Sequence, residues 1–297
     1  MVNPSAYVTL NIASATSDTD GVVIATVSSG TVATSVVVNA TVHGRSITSQ
    51  SDQLLVTTGS AVAAGFDLSA SKYNMNASIS GDSSVITVRI VDANGNPVAD
   101  GVPVVFTSNF GAVGTSAQGG CLTSNGLCTV TYTVQDPRPA DGRLVTVVGS
   151  TQVGSSGVIS KSISLSEAYP GLLGIYDAAG SSGTQVTALN LGSVCSQVYS
   201  RYVGTPQALA APAGTTVGMT GAVAGLSGAV SIGSPILDAL TLASRTPITF
   251  TVTAPSAVGA VPVCVPGGSS SQGVDLLVTF TSGTLSAPQT IHVTYPY

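Results

Sequence analysis

Apolar residues in this chain recur with period two in short runs, and the central stretch shows no 3.6-residue helical period. The clearest runs lie at the centre. Residues 85–91 (VITVRIV) are β-branched with Arg89 as the only charge. They enter Asp92-Ala93-Asn94-Gly95-Asn96-Pro97, where Asn-Gly favours φ > 0 at both turn positions and Pro97 stops the turn from continuing into a ladder. A tight hairpin is therefore predicted, returning through residues 102–107 (VPVVFT), with Pro103 at an edge or bulge where no N–H is needed. Gly111, Gly114, Gly119 and Gly120 mark an irregular segment. Residues 121–128 read as a second hairpin with Asn125-Gly126 at its tip, and residues 128–134 (CTVTYTV) alternate so that one face is buried and one wet. Residues 144–148 and 158–165 supply two more strands. Several short strands between turn signals predict an all-β sandwich.

The flanks read differently. Asp18-Thr19-Asp20-Gly21 followed by residues 22–27 parallels Thr123-Ser124-Asn125-Gly126 followed by residues 127–132. Residues 35–42 parallel 144–148, and 47–56 parallel 158–165, so the first segment echoes only the second half of the central unit. A sandwich without its opening strands exposes apolar faces and unpaired edges. Three explanations stay open: a cut in a longer chain, a self-sufficient small unit, or a strand supplied by another chain. Residues 58–84 form a junction, in which Phe66 and Leu68 begin the first central strand and Tyr73 and Met75 pack between modules. After the boundary signal Tyr169-Pro170-Gly171, seven strand candidates are predicted at residues 172–176, 185–191, 197–203, 247–253, 259–265, 275–281 and 290–295. Residues 204–246 are less regular, with a short helix expected over 235–242 (PILDALTL) and Pro at its first turn. The expected units are residues 1–68 (partial or minimal), 69–168 (complete) and 169–297 (a C-terminal sandwich).

The order VITVRIVDANGNPVADGVPVVFTS, a Gly-rich loop, TSNGLCTVTYT and then PRPADGRLVTVVGS resembles the bacterial immunoglobulin-like group 1 domain, the stalk repeat of invasin- and intimin-type adhesins. The resemblance covers residues 69–168 and rests on four punctuated segments in the right order. It implies tandem immunoglobulin-like β-sandwiches and a rigid extracellular spacer on a bacterial surface. It implies no enzyme.

Composition narrows the function. Charged residues are 7% of the chain, against about 25% ordinarily. Ser, Thr, Gly, Ala and Val fill the deficit, as in secreted and fibre-forming proteins, and the β-branched content argues against disorder. With a net charge of −5, no basic stripe and no Trp, the electrostatic footprint of a nucleic-acid binder is missing. Met1-Val2-Asn3-Pro4 lacks the charged and apolar regions of a signal peptide, so either a leader has been removed or the chain is a piece of a longer one. Residues 202–237 are the longest run expected to be uncharged, but their Pro, Gly, Thr and Ser favour loops and strands over a spanning helix.

Four cysteines fall as two pairs, Cys121 with Cys128 and Cys195 with Cys264, which in an extracellular protein read as two disulfides. Zinc would need four ligands, and no Cys-x-x-Cys exists. His43 and His292 are the only imidazoles for nucleophilic catalysis, and both sit in exposed strand patterns without a Gly-x-Ser-x-Gly elbow. Glu167 is the only Glu, and Asp92, Asp100, Asp136 and Asp141 lie at turns, so a glycosidase carboxylate pair is not indicated. Asp18 and Asp20 open a sequence like a calcium loop without the further acid. Calcium near Asp67 and Asp136 is equally weak. The polar run 137–143 shapes a loop through Asp141 and Arg143. Lys72 and Lys161 are the only lysines, and an isopeptide crosslink would need Asp67 or Glu167 as its buried acid. Asn39 and Asn76 head glycosylation sequons of the kind that arise by chance in Ser/Thr-rich chains.

The sequence therefore predicts a non-catalytic extracellular structural or adhesive protein without cofactor or metal, a stalk whose C-terminal unit is the binding tip. Its expected partners are copies of itself, other surface proteins, or a host or glycan ligand. The alternative is a filament subunit assembled by β-strand complementation.

Overall fold

Alternation builds nearly every element. In Ser83–Ile90 the side chains of Ser84, Ile86, Val88 and Ile90 are buried, while Ser83, Val85 and Arg89 face water. In Leu127–Thr133 the buried set is Cys128, Val130 and Tyr132. The computed structural model describes residues 6–114, 119–153, 157–192, 194–255 and 271–296. It is all-β, with short 3-10 turns as the only helical pieces among the described residues.

The central sandwich has two sheets. One orders Ala112–Val113, Leu127–Thr133, Ser83–Ile90 and Phe66–Ala70. The other orders Gly120–Leu122, Pro103–Ser108, Val145–Val153, Gly157–Ala168 and Asn74–Asn76. All pairs are antiparallel except the last, in which Asn74–Asn76 runs parallel to residues 166–168. Phe66, Met75, Ile86, Val88, Phe106 and Tyr132 meet in the core between the sheets. Pro103 stands first in its strand, where a missing N–H costs least.

The first predicted hairpin does not form. Ser83–Ile90 and Pro103–Ser108 belong to different sheets, and only Val91 and Pro97 bridge at the turn. Asp92 Oδ1 accepts the N–H groups of Asn94 and Asn96, both at 2.9 Å, and Gly95 takes φ +85° while Asn94 stays negative. That turn redirects the chain instead of closing a ladder. Crossing over lets the apolar faces of both strands share one core, whereas a lone hairpin leaves its face in water.

The second hairpin is corrected in the same way. Cys121 and Cys128 are disulfide-bonded with Cα atoms 5.9 Å apart. Cys121 lies on a strand paired with Pro103–Ser108, and Cys128 on one paired with Ser83–Ile90. The bond therefore ties one sheet to the other. Only the tip keeps hairpin geometry, with Asn125 and Gly126 both at positive φ.

The C-terminal sheet has eight strands in the order Gly174–Tyr176, Ser196–Gly204, Thr246–Thr253, Ser227–Ile232, Thr216–Gly221, Ser271–Ser282, Leu285–Pro296 and Ala188–Asn190. Thr216–Gly221 and Ser227–Ile232 share the single pair Thr220–Ser227, and there the sheet folds into two layers. Tyr176 bridges Gln185 just ahead of Ala188, so the two edge strands come together. Ile175, Phe250, Val252, Leu276, Phe280 and Ile291 fill this second core. The helix expected over 235–242 is absent. Ile236 instead exchanges backbone bonds with Gly214 and Thr215, which removes the groups a helix would use. Thr216–Gly221 and Ser227–Ile232 arise where irregular structure was expected. The strand predicted at 259–265 lies outside the described residues.

Residues 6–60 form three antiparallel ribbons: Val8–Leu10 with Val27–Ser29, Thr34–Val36 with Leu54–Val56, and Asn39–Thr41 with Thr48–Gln50. No residue from Ala6 to Ser60 is buried. The apolar side chains of this segment are therefore half-buried or exposed, and none reaches a packed core.

Candidate functional site

The most heavily bonded polar constellation is the joint between the two sandwiches. Residues 74–77 (NMNA) are all buried. The strand Asn74–Asn76 lies along residues 166–168 of its own sandwich, with Ser166 N–H donating to Tyr73 O at 2.8 Å and Ala77 N–H to Ala168 O at 3.0 Å. Asn74 and the Asn76 side-chain amide also reach the C-terminal sandwich. The Asp238 carboxylate accepts Tyr73 N–H at 2.8 and 3.0 Å, Asn74 N–H at 2.9 Å and Asn74 Nδ2–H at 3.1 Å. Asn74 Nδ2 also donates to Ala239 O, Ala213 N–H donates to Asn74 O, and Asn76 Nδ2 donates to Ser282 Oγ. The expectation that Tyr73 and Met75 pack between modules is corrected: both side chains go to the central core, and it is the Tyr73 backbone N–H that reaches the C-terminal unit.

Loops close the joint around this strand. Asp141 Oδ2 accepts Gln207 N–H at 3.2 Å, and Tyr169 Oη donates to Pro139 O. Gly142 takes φ +84°, and a Cβ there would come within 2.7 Å of Gln207 Cβ. Gly283 takes φ +62° at a hairpin tip and lies under Ile79, whose Cδ1 would meet a Cβ at 2.9 Å. The polar run 137–143 is thus a contact inside the chain.

A buried acid sits beside the joint. Glu167 is fully buried and accepts the Tyr132 hydroxyl at 2.5 Å. Its Oε2 has no protein partner. Burial pushes its carboxyl above the usual range, against the opposing pull of the Tyr132 bond and Arg138, and Asp82 adds to the rise. Burial and Glu167 also push the Tyr132 hydroxyl far up. Asp82 itself pairs with Lys72 at 2.6 Å and accepts Asn76 N–H at 2.8 Å. At the far end of the central sandwich, Asp92 accepts Gly59 N–H and bonds the Asn96 side chain, which hold its pKa down at about 2.

Arg245 is the other keystone. It is buried, its guanidinium lies 3.7 Å from the Tyr176 ring centroid, and it donates to the carbonyls of Thr205, Pro206, Ala178 and Gly180. Four carbonyls disperse its charge without a carboxylate, and they fasten loops 177–183 and 204–209 to each other.

The remaining predicted residues do not converge. His292 Nδ1 meets Asp275 Oδ1 at 3.0 Å on an exposed strand pair, while His43 is exposed in a turn. Asp18 Oδ1 accepts the N–H groups of Asp20 and Val22, which is turn structure. Asp67 and Asp136 are exposed, Asp100 accepts Asn125 N–H, and Lys161 is exposed. Among the described residues no group of three or more His, Cys, Asp or Glu is placed to hold a metal ion. Asn76 is buried with its amide engaged, which removes it as a glycosylation acceptor, whereas Asn39 is exposed. Cys195 is disulfide-bonded, and Cys264 lies outside the described residues. No described helix is long and apolar enough to cross a membrane.

Sequence reasoning missed Asp238, Asn74 and Arg245. One signal was available, because Asp238 is the lone charge between Arg201 and Arg245. An isolated carboxylate in such a run has a reason to be there.

No family model matches the chain, and no curated protein does. Among solved structures it is similar to the adhesin InvE of Yersinia pseudotuberculosis, at 18% identity and a TM-score of 0.29, over 80% of this chain and 60% of that one. It is similar to the Escherichia coli adhesin FdeC, at 13% identity and a TM-score of 0.38, over 97% of this chain and 85% of that one. A third is the C-terminal 282-residue fragment of intimin in complex with the intimin-binding domain of its translocated receptor, at 16% identity and a TM-score of 0.30, over 76% of this chain and 62% of that one. The chain thus spans about three fifths of the InvE and intimin structures it matches. All three TM-scores lie below 0.5, and the all-β fold of this chain rests on its own strands and sheets.

Proposed function

We propose that this chain is a non-catalytic stalk segment of a bacterial surface protein, with residues 69–168 as a spacer module and residues 169–297 as the outward contact unit. The observation that carries this reading is the joint. A spacer must hold its tip at a fixed angle, and the strand Asn74–Asn76 is bonded into both sandwiches at once. A disulfide tying the sheets together fits an oxidising extracellular compartment. The weakly charged surface and the resemblance of residues 69–168 to invasin-type stalk repeats point the same way. A host protein or a glycan is the partner class for the tip.

The test is an inter-sandwich distance measurement on the purified chain, together with binding of the same chain to host-cell and glycan panels. A single narrow distance supports the spacer, and binding that maps to residues 169–297 supports the tip. A broad distance distribution overturns the spacer reading. Binding that survives removal of residues 169–297 overturns the assignment of the tip.

A further inference from the structure

We propose that the open edge of the strand Gly157–Ala168 is a latent pairing surface for a second copy of this chain, and that Lys161 is the residue that keeps it shut. Residues 157–165 pair with Val145–Val153 on one side. On the other side Asn74–Asn76 covers only residues 166–168. Among the described residues no strand lies along the rest. Ala112–Val113, Gly120–Leu122 and Phe66–Ala70, which end the sheets elsewhere, have two, three and five residues. Short edges offer little to pair with, whereas a long uncovered one is a template for another chain.

Backbone alternation fixes which groups are open. In a strand a residue's N–H and C=O point to one side, and its neighbours' to the other. Ser166 N–H donates to Tyr73 O and Ala168 O accepts Ala77 N–H, so the even-numbered residues face this edge. Val158, Ser160, Ser162 and Ser164 therefore present their N–H and C=O groups in a row. Such a row is its own complement. A second copy, antiparallel and related by a two-fold axis, pairs Val158 with Ser164 and Ser160 with Ser162. No other antiparallel register engages all of these residues, and its axis passes through Lys161.

That register sets Lys161 opposite its own copy. The pair falls between hydrogen-bonded ones, where Cα atoms come about 4.5 Å apart and side chains are closest. Alternation also puts Lys161 on the face of Ile159, Ile163 and Leu165, which pack in the central core. Lys161 itself is exposed, its register neighbour is Gly149, and none of the described ion pairs includes it. In a joined sheet the two ammonium groups would be forced together on the core side. Like charges directly opposite are destabilising, and a charge without a partner resists losing its water. The strand carries no other charge before Glu167, so this one inward-facing lysine bars the pairing. The inference rests on register and burial and holds whether or not the protein is adhesive.

The experiment follows the full chain by light scattering and by amide hydrogen exchange at Val158, Ser160, Ser162 and Ser164. Lys161→Val removes the charge and keeps a good strand former. It is expected to strengthen self-association at least about tenfold over the parent, and to slow exchange of the edge amides about 100-fold in the associated form. Adding Ser160→Pro, which removes one edge N–H, is expected to reverse both effects. Lys161→Glu alone should behave as the parent, because like charges still meet. An equimolar mixture of parent and Lys161→Glu should associate, because opposite charges then meet, and this arm decides the matter if Lys161→Val fails to fold. Lys161→Val that melts like the parent and associates no more than it does overturns the proposal, as does a mixture that associates no more than its components. Association of Lys161→Val that leaves the edge amides fast, or a parent whose edge amides slow as its concentration rises, also overturns it.

Discussion

Asp238→Ala is expected to loosen the joint while leaving both sandwiches folded. The carboxylate takes two backbone N–H groups and one side-chain amide from residues 73 and 74. A hydrogen bond to a charged group contributes roughly 1.5–3 kcal/mol, but Asp238 is exposed and water competes for it. At half-buried Tyr73, water replaces the lost acceptor. At Asn74, which is fully buried, the N–H is left unpaired at a cost of about 1–3 kcal/mol. Allowing for solvent at Asp238, the docked arrangement should weaken by about 1.5 kcal/mol, or about tenfold in the balance between docked and loosened joint. Asp238→Asn keeps one acceptor oxygen and should lose less. Spin labels at exposed Val105 and Val198, one on each sandwich, read the distance distribution, and thermal melts check that each core survives. A distribution in Asp238→Ala as narrow as in the parent, with the Asn74 amide still protected, would refute the reasoning.

Three further outcomes are expected. Glu167 has its pKa raised by burial, so the stability it supports is full below the ordinary carboxylate range and falls as pH rises through the higher folded value. Melting of the central sandwich should drop on the alkaline side of that range, and Glu167→Gln should flatten the slope; an unchanged slope sinks the assignment. Replacing Cys121 and Cys128 by Ser should cost roughly 2–3 kcal/mol on the chain-entropy model, lowering the melting temperature of the central sandwich by roughly 10 °C or more. Arg245→Lys keeps the charge but loses the planar stack on Tyr176 and part of the carbonyl fork, and should destabilise the C-terminal sandwich by about 2 kcal/mol in chemical denaturation.

Local pattern was a good guide to which residues become strands and a poor one to which strands become neighbours. Residues 85–91 and 102–107 alternate clearly, and both form strands. Their separation into two sheets depends on a core assembled from Phe66 through Leu165, which no local window contains. The Cys121–Cys128 spacing looked like a hairpin for the same reason. Between residues 204 and 246, Thr216–Gly221 and Ser227–Ile232 are rich in Gly and Ser, so strands that depend on their neighbours resemble loops. At the joint, Tyr73 and Met75 were legible as apolar residues in a junction. Asp238, which accepts the Tyr73 N–H, was not, because the contact spans 165 positions and its energy lies in backbone N–H groups that every residue carries.

The parallel pairing of Asn74–Asn76 with residues 166–168 has a mechanical consequence. Once Phe66–Ala70 ahead of it has yielded, force applied along the chain pulls Asn74–Asn76 toward the N-terminus and Gly157–Ala168 toward the C-terminus. Parallel neighbours pulled this way slide past one another in shear. The bonds from Ser166 to Tyr73 and from Ala77 to Ala168 then share the load and must break together, whereas an antiparallel pair opened from one end would unzip bond by bond. At this pair the module meets tension in shear.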